Sequence, residues 1–232
     1  MASAAGRLAC GLAALTWLLG ASGVAMATGG ELGKFSYARV HFEQNATDGD
    51  VEVVFKAKSR KGGLAKLTVV SPDGRTVIDF TAPDPSTLGM RQFALESPEP
   101  TDVAKLKAAY PEGVYHFTGE TVSGKKLAGE SSLSHALPAT TGFVHPKEQA
   151  EGVSTAGLEI RWTQVAGVSA YLIEIENDDL DVGFEATLPG SASAFRVPEG
   201  FLAPGTEYDL SLGTVSAKGN ISFVETSFST AE

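Results

Sequence analysis

Four histidines, a residue type that both binds metals and transfers protons, are the first candidates for chemistry in this chain. They are His41, His116, His135 and His145. His41 and Glu43 lie two positions apart on a predicted strand, so both side chains leave one face and could begin a zinc site. Structural zinc takes four ligands, and no third ligand follows at a suitable spacing. We therefore predict a solvated strand face here, with no metal and no cofactor.

The densest group of carboxylates runs from residue 177 to residue 183. It contains Asp178, Asp179 and Asp181 and starts like a calcium-binding loop, with oxygen ligands at alternate positions. The pattern then fails, because Gly183 comes one position late and Leu188 stands where such a loop needs a bidentate glutamate. The sequence predicts a solvated acidic turn, with weak calcium binding by the three aspartates as the alternative.

Nucleophilic catalysis has little support in the sequence. Ser123 and Lys126 have the S-x-x-K spacing of one class of serine enzymes, but that chemistry needs the serine at a helix start, and this segment is a predicted hairpin turn. No G-x-S-x-G sequence and no glycine-rich phosphate loop occur. The single cysteine, Cys10, lies in a predicted leader. We therefore predict no catalytic residues and a protein that is not an enzyme.

Composition indicates a folded, acidic protein. The 232 residues are 43% hydrophobic and 20% charged, which is enough for a core and argues against disorder. The chain has 18 Lys+Arg and 28 Asp+Glu, a net charge of −10, and no basic stripe. Because phosphate binding depends on clustered Lys and Arg, we predict no nucleic-acid partner.

Residues 1–27 have the features of a cleavable signal peptide. Arg7 precedes an apolar run from Leu8 to Leu19, and Ala25-Met26-Ala27 forms a small-x-small cleavage site. An uncleaved anchor is the alternative, because no charge interrupts residues 8–30. Cleavage would leave a chain without cysteine and without a membrane segment. Export without disulfides predicts a bacterial protein that is periplasmic or secreted.

The rest of the chain predicts an all-β fold. From residue 35 onward, short alternating runs are separated by Gly, Pro and Asp, a pattern typical of antiparallel sandwiches. Residues 137–147 are rich in Pro, Thr and Gly and are predicted to be a linker. It would join a first β-sandwich domain at residues 31–136 to a second at residues 148–232, in tandem after the signal peptide.

One short helix is predicted at residues 101–109. Thr101 is its N-cap candidate, Asp102 is an acid in its first turn, and Pro111 stops it. A helical crossing just before Pro111-Glu112-Gly113-Val114-Tyr115 resembles the link into the penultimate strand of an immunoglobulin-like sandwich. The resemblance implies that the first domain is immunoglobulin-like.

The second domain contains a distinctive corner sequence. A strand with Leu158, Ile160 and Trp162 on one face is followed by Leu202-Ala203-Pro204-Gly205-Thr206-Glu207-Tyr208-Asp209-Leu210. The order of tryptophan, corner and final strand over residues 152–230 resembles a fibronectin type III domain, whose corner reads L-x-P-G-T-x-Y-x-L. The resemblance implies that Trp162 packs in the core and that the Tyr208 hydroxyl bonds back to the corner backbone.

These observations favour a non-catalytic extracytoplasmic protein that binds or spaces an unidentified macromolecule, with a protein favoured as partner. The loop at residues 216–220 carries the candidate binding residues Lys218 and Asn220, because sandwich domains display function on end loops. Two alternatives stay open. One is a small hydrolase or metal-dependent enzyme with a site between the domains, built from histidines and acids; the other is a glycan-binding accessory module with exposed aromatic residues such as Tyr37 and Tyr110.

Overall fold

A computed structural model of the protein describes residues 32–60, 62–82, 84, 88–98, 100 and 102–232. The predicted signal peptide lies outside the described residues. Sixteen strands and one short helix form within this part of the chain, so the predicted all-β fold class is confirmed. No helix among the described residues has the length and hydrophobicity needed to cross a bilayer.

The first half of the chain forms a two-layer sandwich, because alternation of apolar and polar residues gives each strand one face for the core. One layer has the strand order β1-β8-β7-β4-β5, and the other contains β2, β3 and β6. The strands are β1 (Gly33–Lys34), β2 (Tyr37–Asn45), β3 (Asp50–Lys58), β4 (Leu64–Val70), β5 (Thr76–Thr81), β6 (Gln92–Glu96), β7 (Gly113–Thr121) and β8 (Lys126–Leu133).

The second half forms another sandwich with its own hydrophobic cluster. One layer has the order β14-β11-β9, and the other contains β13, β12, β15, β16 and β10. The strands are β9 (Phe143–His145), β10 (Ala150–Val153), β11 (Glu159–Trp162), β12 (Val168–Asn177), β13 (Val182–Pro189), β14 (Ala194–Arg196), β15 (Glu207–Ser216) and β16 (Ile221–Thr230). We call the two bodies the first and the second sandwich; where the domain boundary falls stays a prediction.

The two sandwiches share one sheet. Its strand order is β13-β12-β15-β16-β2-β3-β6, with β10 paired to the far part of β16. The junction is a parallel pairing of β16 with β2 that aligns Ile221 with Glu43 and Phe223 with Asn45. Backbone hydrogen bonds therefore run from one sandwich into the other. We call this pairing, with the side chains that flank it, the seam.

The helix α1 (Val103–Ala109) lies between β6 and β7, with Leu106 buried in the first core. Its N-cap is Asp102, whose side chain accepts a hydrogen bond from the Ala104 backbone N–H at 2.9 Å. The sequence pattern predicts Thr101 as the N-cap and Asp102 as a residue of the first turn. The cap falls one residue later because the Asp102 carboxylate has the geometry to satisfy a free N–H of the first turn.

Candidate functional site

The side chains of His41 and Glu43 are in hydrogen-bond contact. His41 is 2% exposed, and its Nε2 atom lies 3.0 Å from the Glu43 Oε2 atom. Its other ring nitrogen, Nδ1, is buried and has no hydrogen-bond partner among the described residues. The expectation of a solvated face is wrong for His41. Its side chain lies on the face of β2 opposite Val40 and Phe42, and at a central strand of the shared sheet that face is also buried.

Two other histidines have partners of their own on different parts of the first sandwich. His116 Nδ1 lies 3.2 Å from the Glu130 Oε1 atom across β7 and β8, where both side chains are exposed. His135 Nε2 lies 2.8 Å from the Tyr110 carbonyl oxygen, and its ring packs 5.2 Å from the ring of Phe42. Each of these histidines and His41 thus contacts a different partner.

The acidic segment 177–183 forms the turn between β12 and β13. The Asn177 side chain accepts a hydrogen bond from the Leu180 backbone N–H at 2.6 Å, and Asp181 has a positive φ of 52°. Asp178, Asp179 and Asp181 are exposed. Within the described residues, no group of three or more His, Cys, Asp or Glu is arranged to hold a metal ion.

Lys218 and Asn220 occupy very different positions on the loop between β15 and β16. Lys218 is exposed, whereas Asn220 is 1% exposed. The Asn220 side chain accepts a hydrogen bond from the Phe42 N–H at 3.0 Å and donates to the carbonyls of Ser134 at 2.6 Å and Ala136 at 2.9 Å. All three partners belong to the first sandwich or its end. Binding of a ligand by Asn220 stays a prediction, and it would require this clamp to open.

The segment predicted as a linker is hydrogen-bonded to the second sandwich. The Pro138 carbonyl accepts from the Ser222 hydroxyl at 2.8 Å, and the Ala139 carbonyl accepts from the Thr214 hydroxyl at 2.8 Å. The Thr141 hydroxyl donates to the Thr163 carbonyl at 2.6 Å. These bonds anchor the segment along β15, β16 and the end of β11.

Trp162, Tyr171 and Tyr208 of the second sandwich lie in its core. Trp162 is 3% exposed and packs 5.3 Å from the ring of Tyr171. Tyr208 is 1% exposed, and its hydroxyl accepts a hydrogen bond from the Ala203 backbone N–H at 2.9 Å. Of the two tyrosines considered for glycan binding, Tyr110 packs 5.8 Å from Phe55, while Tyr37 is 42% exposed.

Two grooves lined by carboxylates lie on the outer face of the shared sheet, and no sequence motif indicates them. Two adjoining grooves of about 340 Å³ and about 670 Å³ run across the seam and share Glu174 and Glu225 in their walls. We call them together the acidic trough. Its carboxylates are Glu43, Asp50, Glu52, Glu96, Glu148, Glu174, Glu176, Glu185, Asp209 and Glu225, and Lys56 is its lysine.

Burial and neighbouring carboxylates both raise the pKa of Glu174, which lies at the centre of the trough. Partial burial, followed by repulsion from Glu185, Glu176 and Glu43, raises its pKa from 4.5 to about 7, and Lys56 opposes the shift. A carboxylate surrounded by others gains when a cation comes close, because the opposite charge favours its ionised form. The trough therefore has the electrostatics of a surface for cationic groups.

The charge of the chain is concentrated in the second sandwich. Residues 137–232 contain 4 Lys+Arg and 14 Asp+Glu, a net charge of −10, whereas residues 32–136 contain 13 of each and are neutral. Glu174 and Glu176 alternate with apolar residues along β12, and β13 and β16 each contribute one glutamate, Glu185 and Glu225. Their meeting with Glu43, Glu52 and Glu96 of the first sandwich depends on the seam, which no local pattern indicates.

No family model matches the chain, and no curated protein matches it. Among solved structures, it is similar to a segment of two fibronectin type III domains from chicken tenascin, at 16% identity with a TM-score of 0.31, over 84% of this chain and 99% of that one. The fibronectin(III)-like modules of Clostridium thermocellum CbhA match at 10% identity with a TM-score of 0.34, over 88% and 92%. Domains FN1-FN3 of chicken CNTN1 match at 10% with 0.33, over 86% and 66%. At these scores the similarity carries no argument about function.

Proposed function

We propose that this protein is a non-catalytic, extracytoplasmic binding or spacer protein whose two β-sandwiches act as one rigid body. The observation that carries the proposal is the seam, in which β16 of the second sandwich and β2 of the first belong to the same sheet. A spacer or a docking platform needs a defined geometry between its parts, and paired strands supply it better than a flexible linker does.

Further hydrogen bonds from backbone and side chains reinforce the strand pairing at the seam. The Ala46 N–H donates to the Phe223 carbonyl at 2.9 Å, and the Gln44 amide donates to the Ser222 hydroxyl at 2.9 Å. The Glu225 N–H donates to the Thr47 hydroxyl at 2.8 Å, beyond the paired residues. With the Asn220 clamp at the other end, these bonds oppose a hinge motion between the sandwiches.

The non-catalytic part of the proposal is supported by what the reactive side chains already do. His41 contacts Glu43, and His135 contacts a backbone carbonyl. Ser123 lies on the β7–β8 turn, where its hydroxyl bonds to the Thr121 hydroxyl at 2.9 Å, and Lys126 pairs with Glu120. These contacts are those of strand and turn residues that stabilise the fold.

Rotational diffusion tests the rigid-body proposal. We expect ¹⁵N relaxation to give one correlation time for backbone amides of both sandwiches, because a single body tumbles as a unit. Asn220→Ala is the perturbing variant, and Asn177→Ala, on an exposed turn far from the seam, is its matched control. Two clearly different correlation times in the unaltered protein would mean independent domains and would overturn the proposal.

The extracytoplasmic part rests on the signal-peptide features of residues 1–27 and is tested separately. Expression in a Gram-negative bacterium, followed by N-terminal sequencing of the periplasmic fraction, should return a chain that begins at Thr28. Protein that starts at Met1 in the membrane fraction would replace export with anchoring.

A further inference from the structure

One end of the first sandwich carries exposed apolar side chains beside two arginines. Leu88 is 87% exposed, Met90 52% and Val122 42%. Arg60 and Arg91 line the same shallow depression as Leu88 and Val122. We call this group of five residues the basic tip. None of the ion pairs formed within the described residues involves Arg60 or Arg91.

The acidic trough has the complementary composition. Beneath its carboxylates lie the apolar side chains of Leu172, Ile221 and Phe223, which line the groove that crosses the seam. The Phe223 ring covers Gly213, where an added Cβ would come within 2.7 Å of it. The acidic walls match the arginines of the tip in charge. The apolar floor adds a small exposed area, since Ile221 is 8% and Phe223 9% exposed.

The two surfaces lie at opposite ends of the same strands. β3 begins at Asp50 in the trough and ends at Lys58, two residues before Arg60. β6 follows Arg91 of the tip and ends at Glu96 of the trough. At about 3.3 Å per residue, the six residues from Glu52 to Lys58 span roughly 20 Å of paired strand, and Arg60 lies beyond its end. The tip therefore cannot reach the trough of its own molecule.

We propose that copies of this protein associate head to tail, with the basic tip of one copy seated in the acidic trough of the next. The apolar residues Leu88 and Met90 would cover the floor near Phe223, while Arg60 and Arg91 would face the carboxylates around Glu174. Because the two surfaces differ, each copy offers one of each, and such heterologous contacts build closed rings or open chains of copies. This inference names a partner for the proposed binding module and in that sense rests on it.

Sedimentation velocity over a range of protein concentrations tests the association. We expect concentration-dependent oligomers at about 0.02 M salt that diminish at about 0.5 M salt, because screening weakens contacts between exposed charges. Arg60→Glu with Arg91→Glu should weaken association at least about tenfold. Lys105→Glu with Arg161→Glu, which changes the net charge equally at exposed sites outside both surfaces, should change it by less than about twofold.

A mixing experiment identifies the two surfaces. Glu174→Lys with Glu185→Lys should likewise weaken association at least about tenfold when this variant is alone, because two lysines then stand at the centre of the trough where the arginines of the tip would bind. An equal mixture of the tip variant and the trough variant should associate again, since it offers an intact tip to an intact trough. Circular dichroism and thermal melts check that every variant is folded.

Two results would overturn the proposal. The first is an unaltered protein that stays monomeric up to about 1 mM at low salt, a concentration at which even weak contacts form. The second is association that persists in both charge-reversed variants, which would assign it to another surface. A monomer whose sandwiches still share one correlation time would remove head-to-tail association and leave the proposed rigid spacer standing.

Discussion

Both sandwiches place a buried tyrosine near the start of a long strand, but they use its hydroxyl in opposite ways. In the first, the Tyr115 hydroxyl donates to the Pro111 carbonyl at 3.1 Å. In the second, the Tyr208 hydroxyl accepts from the Ala203 N–H at 2.9 Å. Each bond reaches back to the chain just before the strand. A tyrosine hydroxyl therefore stabilises both corners. It donates where the backbone presents a carbonyl and accepts where the backbone presents an N–H.

The two sandwiches also differ in how they treat carboxylates. In the first, hydrogen bonds from Ser71 and Arg75 lower the pKa of Asp73 to about 2, and Lys126 lowers the pKa of Glu120. In the second, burial and neighbouring glutamates raise the pKa of Glu174 to about 7. Asp73 and Glu120 of the first sandwich are thus paired within the fold, whereas Glu174 of the second lies among other carboxylates on an open face.

The largest effect is expected at the core of the second sandwich. Trp162→Ala should lower the free energy of unfolding by about 3–5 kcal/mol, because deleting a buried large aromatic side chain leaves a cavity. Chemical denaturation measures the loss, and Tyr37→Ala, at an exposed aromatic of the first sandwich, is the control. A loss below about 1 kcal/mol would place Trp162 at the surface.

The seam comes next. Asn220→Ala should cost about 2–4 kcal/mol, because it removes three hydrogen bonds and leaves the buried Phe42 N–H without its partner. The loss should appear as earlier unfolding in urea, with the transitions of the two sandwiches beginning to separate. Asn177→Ala removes two bonds on an exposed turn and should cost less than about 1 kcal/mol. Equal losses for the two variants would contradict the role of Asn220 as a clamp.

The two tyrosine corners give a direct comparison between the sandwiches. Tyr208→Phe should cost about 1–3 kcal/mol and Tyr115→Phe about 0.5–1.5 kcal/mol. The first change leaves a backbone N–H without an acceptor, and orphaned N–H groups are tolerated less well than orphaned carbonyls. Urea denaturation of both variants measures the two losses in free energy of unfolding. A larger loss for Tyr115→Phe would show that an orphaned N–H does not cost more than an orphaned carbonyl at these corners.

The smallest effect is a pair of opposite pH dependences. Because the pKa of Glu174 is raised from 4.5 to about 7, the folded state holds more protons there, so its contribution is full below pH 4.5 and is lost as pH rises to 7. The loss should be about 1 kcal/mol after allowance for solvent screening, and Glu174→Gln should abolish it. The pKa of Asp73 is lowered from 3.8 to about 2, so its contribution is lost as pH falls through that window, and Asp73→Asn should remove this dependence.

Thermal melts across pH, compared between each variant and the unaltered protein, isolate the two groups. If Glu174→Gln leaves the pH dependence of the melting temperature between pH 4.5 and 7 unchanged, the pKa of Glu174 is not raised by burial and by the neighbouring carboxylates. If Asp73→Asn leaves the pH dependence of the melting temperature below pH 3.8 unchanged, the two sandwiches do not differ in how they shift the pKa values of their acids.

Much of the fold could be predicted from local pattern. The short alternating runs separated by Gly, Pro and Asp correspond to strands and turns, as at β4 (Leu64–Val70) and at Pro72 and Gly74, which lie in the turn before β5. The corner sequence around Tyr208 indicated both its burial and its hydroxyl bond. These signals work because strand period, turn conformation and corner geometry depend on residues that are close in the chain.

The trough could not be predicted in the same way, although its residues were visible. In the sequence, Glu43 stands out only as a neighbour of His41 on one strand face, and Glu174 is a polar residue between Ile173 and Ile175. The two residues come close because β2 pairs with β16, and the paired segments are about 178 positions apart. Parallel pairing through backbone hydrogen bonds leaves no periodic signal in either strand.

Composition and short-range period indicate the all-β class, many of the strands, the two apolar cores and the excess of acid in the second half. The burial of His41, the hydrogen bond between Asn220 and Phe42, and the trough formed by acids of both halves arise only when distant strands pack together. Local pattern does not specify these contacts because backbone groups are alike in every residue. Which strands complete one another's hydrogen bonds is therefore settled when the layers pack.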